Sequence, residues 1–140
     1  MSDFSAFYAQ NAAVETTEDF VVSPRFKDKD GKAIPWKLRS ITEAENQEIR
    51  KAATKRTKAK YGQYTSETDP NEYVAKLVTA TVVYPNLKDA ALQETYGVKG
   101  AEALVRKMLL PGEFTKLTDQ AQTLNGFDQD INELVEDVKN

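Results

Sequence analysis

The chain has no cysteine and no histidine. Without thiols there are no disulfides, no thiolate nucleophile and no zinc site of the Cys/His kind. Without imidazole, the side chain that most often carries protons near neutral pH is missing. A basic excess is also absent: 19 Lys and Arg face 22 Asp and Glu, a formal net charge of −3. A general nucleic-acid binder normally shows the opposite balance. Long apolar runs are missing too. The most apolar stretch, Val74 to Tyr84, is interrupted by Lys76, Thr79 and Thr81 and stops at Pro85. It is roughly half the ~20 residues that span a bilayer. The first residues, MSDFSAFYAQN, carry neither the basic start nor the apolar run of a signal peptide. The expectation is a protein without a membrane span, not exported, with the cytoplasm as its default compartment.

What is present begins with Phe20 to Ile41. Phe20, Val22, Pro24 and Phe26 share one face, and Ile34, Trp36 and Leu38 alternate with Lys37 and Arg39. This is the period-2 signature of half-buried strands, with Asp28-Lys29-Asp30-Gly31 as the turn between them. Pro24 and Pro35 cannot donate to a ladder, so the strands are edge strands or irregular ones. A lone hairpin is marginal, so its apolar face must pack on the helices later in the chain. The only tryptophan, Trp36, lies here.

Thr42-Glu43-Ala44-Glu45 has capping-box spacing and predicts a helix running to about Lys60. Six of the 19 basic residues fall between Arg50 and Lys60. They suit a helix C-terminus and read as a solvated face, or as a contact for an acidic partner. Tyr61 to Thr68 reads as a polar loop. Asp69-Pro70-Asn71-Glu72 starts a second helix, with Tyr73, Val74, Leu77, Val78, Thr81 and Val82 at helical spacing and Pro85 as its end. Three short helices come next. The first carries Leu87, Ala91, Leu92 and Tyr96 and stops at Gly97-Val98 in the Schellman manner. The second, Ala101 to Leu110, turns Leu104, Val105, Met108 and Leu109 inward. The third places Phe114, Leu117, Ala121 and Leu124 on one face before Gly126. Asp128 then caps a last helix with the stripe Ile131, Leu134, Val135 and Val138. At the N-terminus, Phe4 and Tyr8 are spaced for one helical turn or a docked arm.

These readings give a mainly α fold with a small N-terminal β-hairpin, an α+β short-helix bundle. It is expected as a single domain over 1–140: an arm over 1–17, the hairpin over 18–40, the capped basic helix over 42–60 and a helical body over 69–140. Helix–helix links this short imply neighbouring, antiparallel packing.

No catalytic constellation emerges. With Gly31 at the sixth position of a calcium loop, Phe26 and Lys37 occupy the first and twelfth ligand positions, both wrong. Gly97-Val98-Lys99-Gly100 fits neither phosphate-loop pattern. Asp128, Asp130, Glu133, Glu136 and Asp137 invite a cation, yet Asp130, Glu133 and Asp137 lie opposite the apolar stripe as a solvated face does. No enzyme, metal or cofactor is expected. As the last element, the stripe Ile131, Leu134, Val135 and Val138 is the candidate partner-binding face.

In order along the chain, the blocks VVSPRFKDKDGKAIPWKLRSITEAE (21–45), VVYPNLKDAALQETYGV (82–98), MLLPGEFTKL (108–117) and LNGFDQDINELVEDVKN (124–140) resemble the XkdN-like phage tail assembly chaperones. That family is found in prophages and contractile-tailed phages of Gram-positive bacteria. The resemblance implies a non-catalytic protein of the host cytoplasm. It would hold the tape measure protein soluble while the tail tube polymerises, with self-association and tube-protein contact as further partners. It also implies absence from the finished virion. A structural tail component, or an adaptor using the basic Arg50 to Lys60 segment to bind nucleic acid or a regulator, is the alternative. No membrane or general nucleic-acid partner is expected.

Overall fold

In the computed structural model, residues 4–12, 16–58 and 60–127 are described; for Lys60 this is the backbone alone. Strand β1 (Thr17–Phe20) pairs antiparallel with β2 (Trp36–Arg39), setting Phe20 opposite Trp36 and Thr17 opposite Arg39. The strand alternation is seen in β2, where Trp36 and Leu38 are buried while Lys37 is exposed. The first strand ends at Phe20, short of the expected Phe26. From there the chain leaves the ladder, although Val22 stays buried. The turn at Asp28 to Lys32 forms as its residues suggest. The Asp28 carboxylate accepts the N–H groups of Asp30 (2.8 Å) and Lys32 (3.0 Å), and Gly31 takes a φ of 79°.

Helix α1 (Glu43–Ala52) opens with the expected capping box. The Glu45 N–H donates to Thr42 Oγ1 (3.2 Å), and the Thr42 N–H donates to Glu45 Oε1 (3.3 Å). Arg39 grips the same carboxylate at 2.7 Å, which ties β2 to the helix start and lowers the Glu45 pKa. The helix does not reach Lys60. After Ala53 the chain turns into β3 (Thr54–Lys58), antiparallel to β4 (Tyr64–Thr68). Past Ala53 a helix would have had no apolar stripe to bury. As strands, the same residues gain cross-strand threonine pairs, Thr54 with Thr68 (2.6 Å between hydroxyls) and Thr57 with Thr65 (3.1 Å). The Arg56 guanidinium also stacks on the Tyr64 ring at 4.3 Å.

Helix α2 (Pro70–Thr81) is capped by Asp69, whose carboxylate accepts from Asn71 and Glu72 N–H groups. Its end departs from expectation. Val82 to Tyr84 leave the helix as β5 and pair with the free side of β2, so the sheet runs β1-β2-β5. Helices α3 (Ala90–Thr95), α4 (Ala101–Met108) and α5 (Pro111–Leu124) complete the described chain. The stop at Gly97 is the two-bond Schellman arrangement: Val98 N–H to Gln93 O (3.1 Å) and Gly97 N–H to Glu94 O (3.0 Å). Gly126 and Phe127 repeat it behind α5, on Thr123 and Gln122.

The expectation of a mainly α protein is therefore overturned. The described residues hold two antiparallel sheets with five strands beside five α-helices, an α+β fold. The physical reason is that three stretches read as helix or loop, 54–58, 64–68 and 82–84, find strand partners. Sheet β1-β2-β5 supplies Trp36, Leu38 and Val82 to a core closed by Val78, Leu104, Val105, Met108, Leu109, Leu117 and Ala121. Asn125 joins three segments over that core. Its amide donates to Thr81 Oγ1 (3.2 Å) and Ala121 O (2.8 Å), and its carbonyl accepts the Ile41 N–H (2.7 Å).

Candidate partner-binding surfaces

Two of the concave places on this scaffold are characterised by their lining. The first is a notch of about 130 Å³ lined by Phe26, Ile34, Trp36, Tyr84, Pro85, Leu92 and Met108. The turn 28–32 folds Phe26 and Ile34 toward each other, since the Ile34 N–H donates to Phe26 O at 2.8 Å. Phe26 then lies 6.0 Å from Trp36, ring to ring, at a tilt of 41°. The opposite wall comes from the end of β5 and from α3. Trp36 is only 2% exposed, whereas Tyr84 on the rim is 54% exposed. The notch is thus open at its mouth and rigid at its floor. The lining side chains are apolar apart from the Tyr84 hydroxyl and the Trp36 indole N–H.

The second is a groove of about 350 Å³ between α2 and α5, lined by Tyr73, Leu77, Asp119, Gln122, Thr123 and Phe127. Its floor is held by a polar contact beneath it, where the Tyr73 hydroxyl donates to Asn46, itself buried and bonded to Glu43 (2.8 Å). Phe127, exposed at the edge, is the last described residue. The groove mixes apolar floor with polar rim, so the notch is the more hydrophobic of the two.

One ionic clasp stands beside the notch. Arg25 reaches across to Glu113, 2.5 Å between Nη2 and Oε1, and donates to Met108 O at 2.8 Å. Glu113 also accepts the Leu110 N–H at 2.9 Å. These contacts pull the Glu113 pKa down from 4.5 to about 2, the Arg25 hydrogen bonds first, then Ser23 and the Leu110 backbone. The clasp fixes the chain leaving Val22 against the α4–α5 corner, next to Met108 of the notch.

The candidate stripe Ile131, Leu134, Val135 and Val138, the carboxylates Asp128 to Asp137 and the expected last helix lie outside the described residues. Phe4 and Tyr8 sit in and just after a short 3₁₀ turn (Phe4–Phe7), both exposed. The basic segment is dispersed, because Arg50 and Lys51 end α1 while Lys55 points to one face of β3 and Arg56 and Lys58 to the other. Among the described residues of 50–60 there is no continuous basic helix face of the kind the adaptor reading uses. Among the described residues there is no group of three or more metal-ligating side chains, and no helix long and apolar enough to cross a membrane. Of the notch residues, Phe26, Ile34 and Trp36 stood out in the sequence as strand alternation. Tyr84 and Pro85 read only as a helix end, so the site they complete was not visible.

The model of the phage XkdN-like tail assembly chaperone family matches residues 4–139. The chain belongs to that family. Among curated proteins it is 30% identical to the uncharacterized protein YqbN of Bacillus subtilis over 137 residues, covering 96% of this chain and 92% of the relative. It is 28% identical to the phage-like element PBSX protein XkdN of the same organism, covering 96% and 93%. Among solved structures, the crystal structure of the protein YqbN matches with a TM-score of 0.79 at 26% identity, over 91% of this chain and 99% of that one. A match over so much of both chains supports the α+β architecture of this tail assembly chaperone family member.

Proposed function

We propose that this chain binds the tape measure protein of the phage tail and keeps it soluble while the tube assembles, without catalysis, in the cytoplasm of the bacterial host. Membership of the tail assembly chaperone family supports a tail-protein partner. The observation that carries the finer reading is the apolar notch between the 26–34 turn and β5–α3. A long helical client exposes apolar stripes until the tube surrounds them, and shielding such a stripe needs an apolar recess with a fixed shape. A notch of about 130 Å³ takes one large apolar side chain of such a stripe. The stripe Ile131, Leu134, Val135 and Val138 is proposed as a second contact.

Co-expression with the tape measure protein tests this reading. The client is expected in the soluble fraction, co-eluting with this chain, and this chain is expected to be missing from purified particles. Because Trp36 is the only tryptophan and forms the notch floor, its emission should shift when a client segment free of tryptophan is added. Tyr84→Asp, at the exposed rim, should leave the fold intact and return the client to the pellet. A client equally soluble with this variant, or this chain found in finished particles, overturns the proposal.

A further inference from the structure

The arm formed by β3 and β4 has no core of its own. All of Lys55 to Lys58 and Tyr64 to Thr68 are exposed, only Thr54 at the root is half-buried, and Tyr61 at the tip is 98% exposed with a left-handed φ of 68°. A two-stranded ribbon with neither face covered is marginal alone and gains most from additional strands. What such a ribbon offers is its edges, because in an antiparallel ladder alternate N–H and C=O groups point away from the partner strand.

The two edges differ in chemistry. β3, TKRTK, carries Lys55, Arg56 and Lys58 in five residues, the charged guard that keeps strands from adding. Two-fold antiparallel registers centred on Lys55, Arg56, Thr57 or Lys58 each set two cations directly opposite each other. β4, YTSET, has one charge, three residues of high strand preference on the edge, and no proline. A two-fold register centred on Ser66 pairs all five of its residues with those of a second copy. Tyr64 meets Thr68, Thr65 meets Glu67 and Ser66 meets Ser66, with no like charges opposed.

We infer that this chain forms a two-fold dimer by β4-to-β4 pairing, merging two arms into one four-stranded sheet with order β3-β4-β4-β3. The dimer places two copies of the notch on one assembly, and so raises the effective concentration of the second contact once a client has engaged the first. The pairing itself does not depend on the chaperone reading.

The absence of cysteine makes the test direct. In the full chain, Ser66→Cys is expected to be trapped as a disulfide-linked dimer under mild oxidation, since the Cα atoms of directly opposed residues lie about 4.5–5.5 Å apart, within the span of a disulfide. Arg56→Cys, on the guarded strand, is expected to stay monomeric. By light scattering after size exclusion, the natural chain should show a concentration-dependent dimer. Ser66→Lys, which keeps the exposed strand but opposes two cations, should raise the dimer Kd roughly fivefold. An equimolar mixture of Ser66→Lys and Ser66→Glu should restore the dimer. A chain that is monomeric at about 1 mM overturns the inference. So does a dimer unchanged by Ser66→Lys, or equal trapping rates at positions 66 and 56.

Discussion

Arg25 and Glu113, 88 positions apart, are joined by two side-chain hydrogen bonds, Nη2 to Oε1 at 2.5 Å and Nε to Oε2 at 3.2 Å. This fork-to-fork contact fixes the segment after β1 to the start of α5. Glu113 titrates at about 2 in the folded protein, below its ordinary 4.5. A depressed folded-state pKa contributes stability that is complete above the unfolded value and is lost as pH falls through the folded value. Thermal unfolding followed by circular dichroism should therefore show a midpoint that falls between pH 4.5 and pH 2. In Glu113→Gln that part of the fall should be reduced. An identical slope in the variant would show that the clasp contributes nothing.

Leu117 is wholly buried in the middle of α5, in the core that sheet β1-β2-β5 and α2 share. Leu117→Ala should cost about 2–5 kcal/mol in urea unfolding, the range for a large core side chain whose cavity cannot fully collapse. A cost under about 1 kcal/mol would mean that α5 repacks freely.

Asn125 serves the Ile41 N–H, the Thr81 hydroxyl and the Ala121 carbonyl at once. Asn125→Ala should lower stability by about 1–3 kcal/mol through partners left unsatisfied. Amide exchange should rise at Ile41 before it rises in α4. Uniform exchange across the chain would argue against a local joint.

Gly97 holds a φ of 68° with open space where a Cβ would stand. Gly97→Ala should therefore cost only the left-handed backbone penalty, about 1–2 kcal/mol, with no packing cost. Asp69→Ala, at the start of α2, should cost about 1 kcal/mol by removing the cap. Chemical denaturation reads both, and a loss above about 4 kcal/mol at either position would point to contacts beyond these.

Local chemistry was legible in the sequence. The Thr42/Glu45 box, the Asp69-Pro70 start and the Gly97-Val98 stop formed as their residues suggest, because each is decided within five positions. The turn at Asp28 to Lys32 and the inward faces of α4 and α5 were equally readable. Elements decided by distant partners were not. Val82 to Tyr84 continue the helical spacing of α2, and only the open side of β2, more than 40 positions earlier, makes them a strand. The Lys- and Ala-rich run after Ile49 has good helix propensity, and it becomes a strand through threonine pairs and an Arg–Tyr stack that single-strand patterning does not show. The notch was hidden for the same reason, since its two walls come from Phe26 to Trp36 and from Tyr84 to Met108.

The central place of β2 has a consequence for the order in which the chain acquires structure. Its two neighbours come from opposite sides in time, β1 before it and β5 well after it, and the core under it is complete only once Leu117 and Ala121 have been added. As synthesis proceeds, the first half holds Trp36 and Leu38 without cover until α2, β5 and α5 have emerged. Non-local closure of this kind sets the folding rate, and it leaves a nascent first half exposed to proteases and to sticky neighbours. A helper of assembly built this way is itself complete only when nearly all of it has been made.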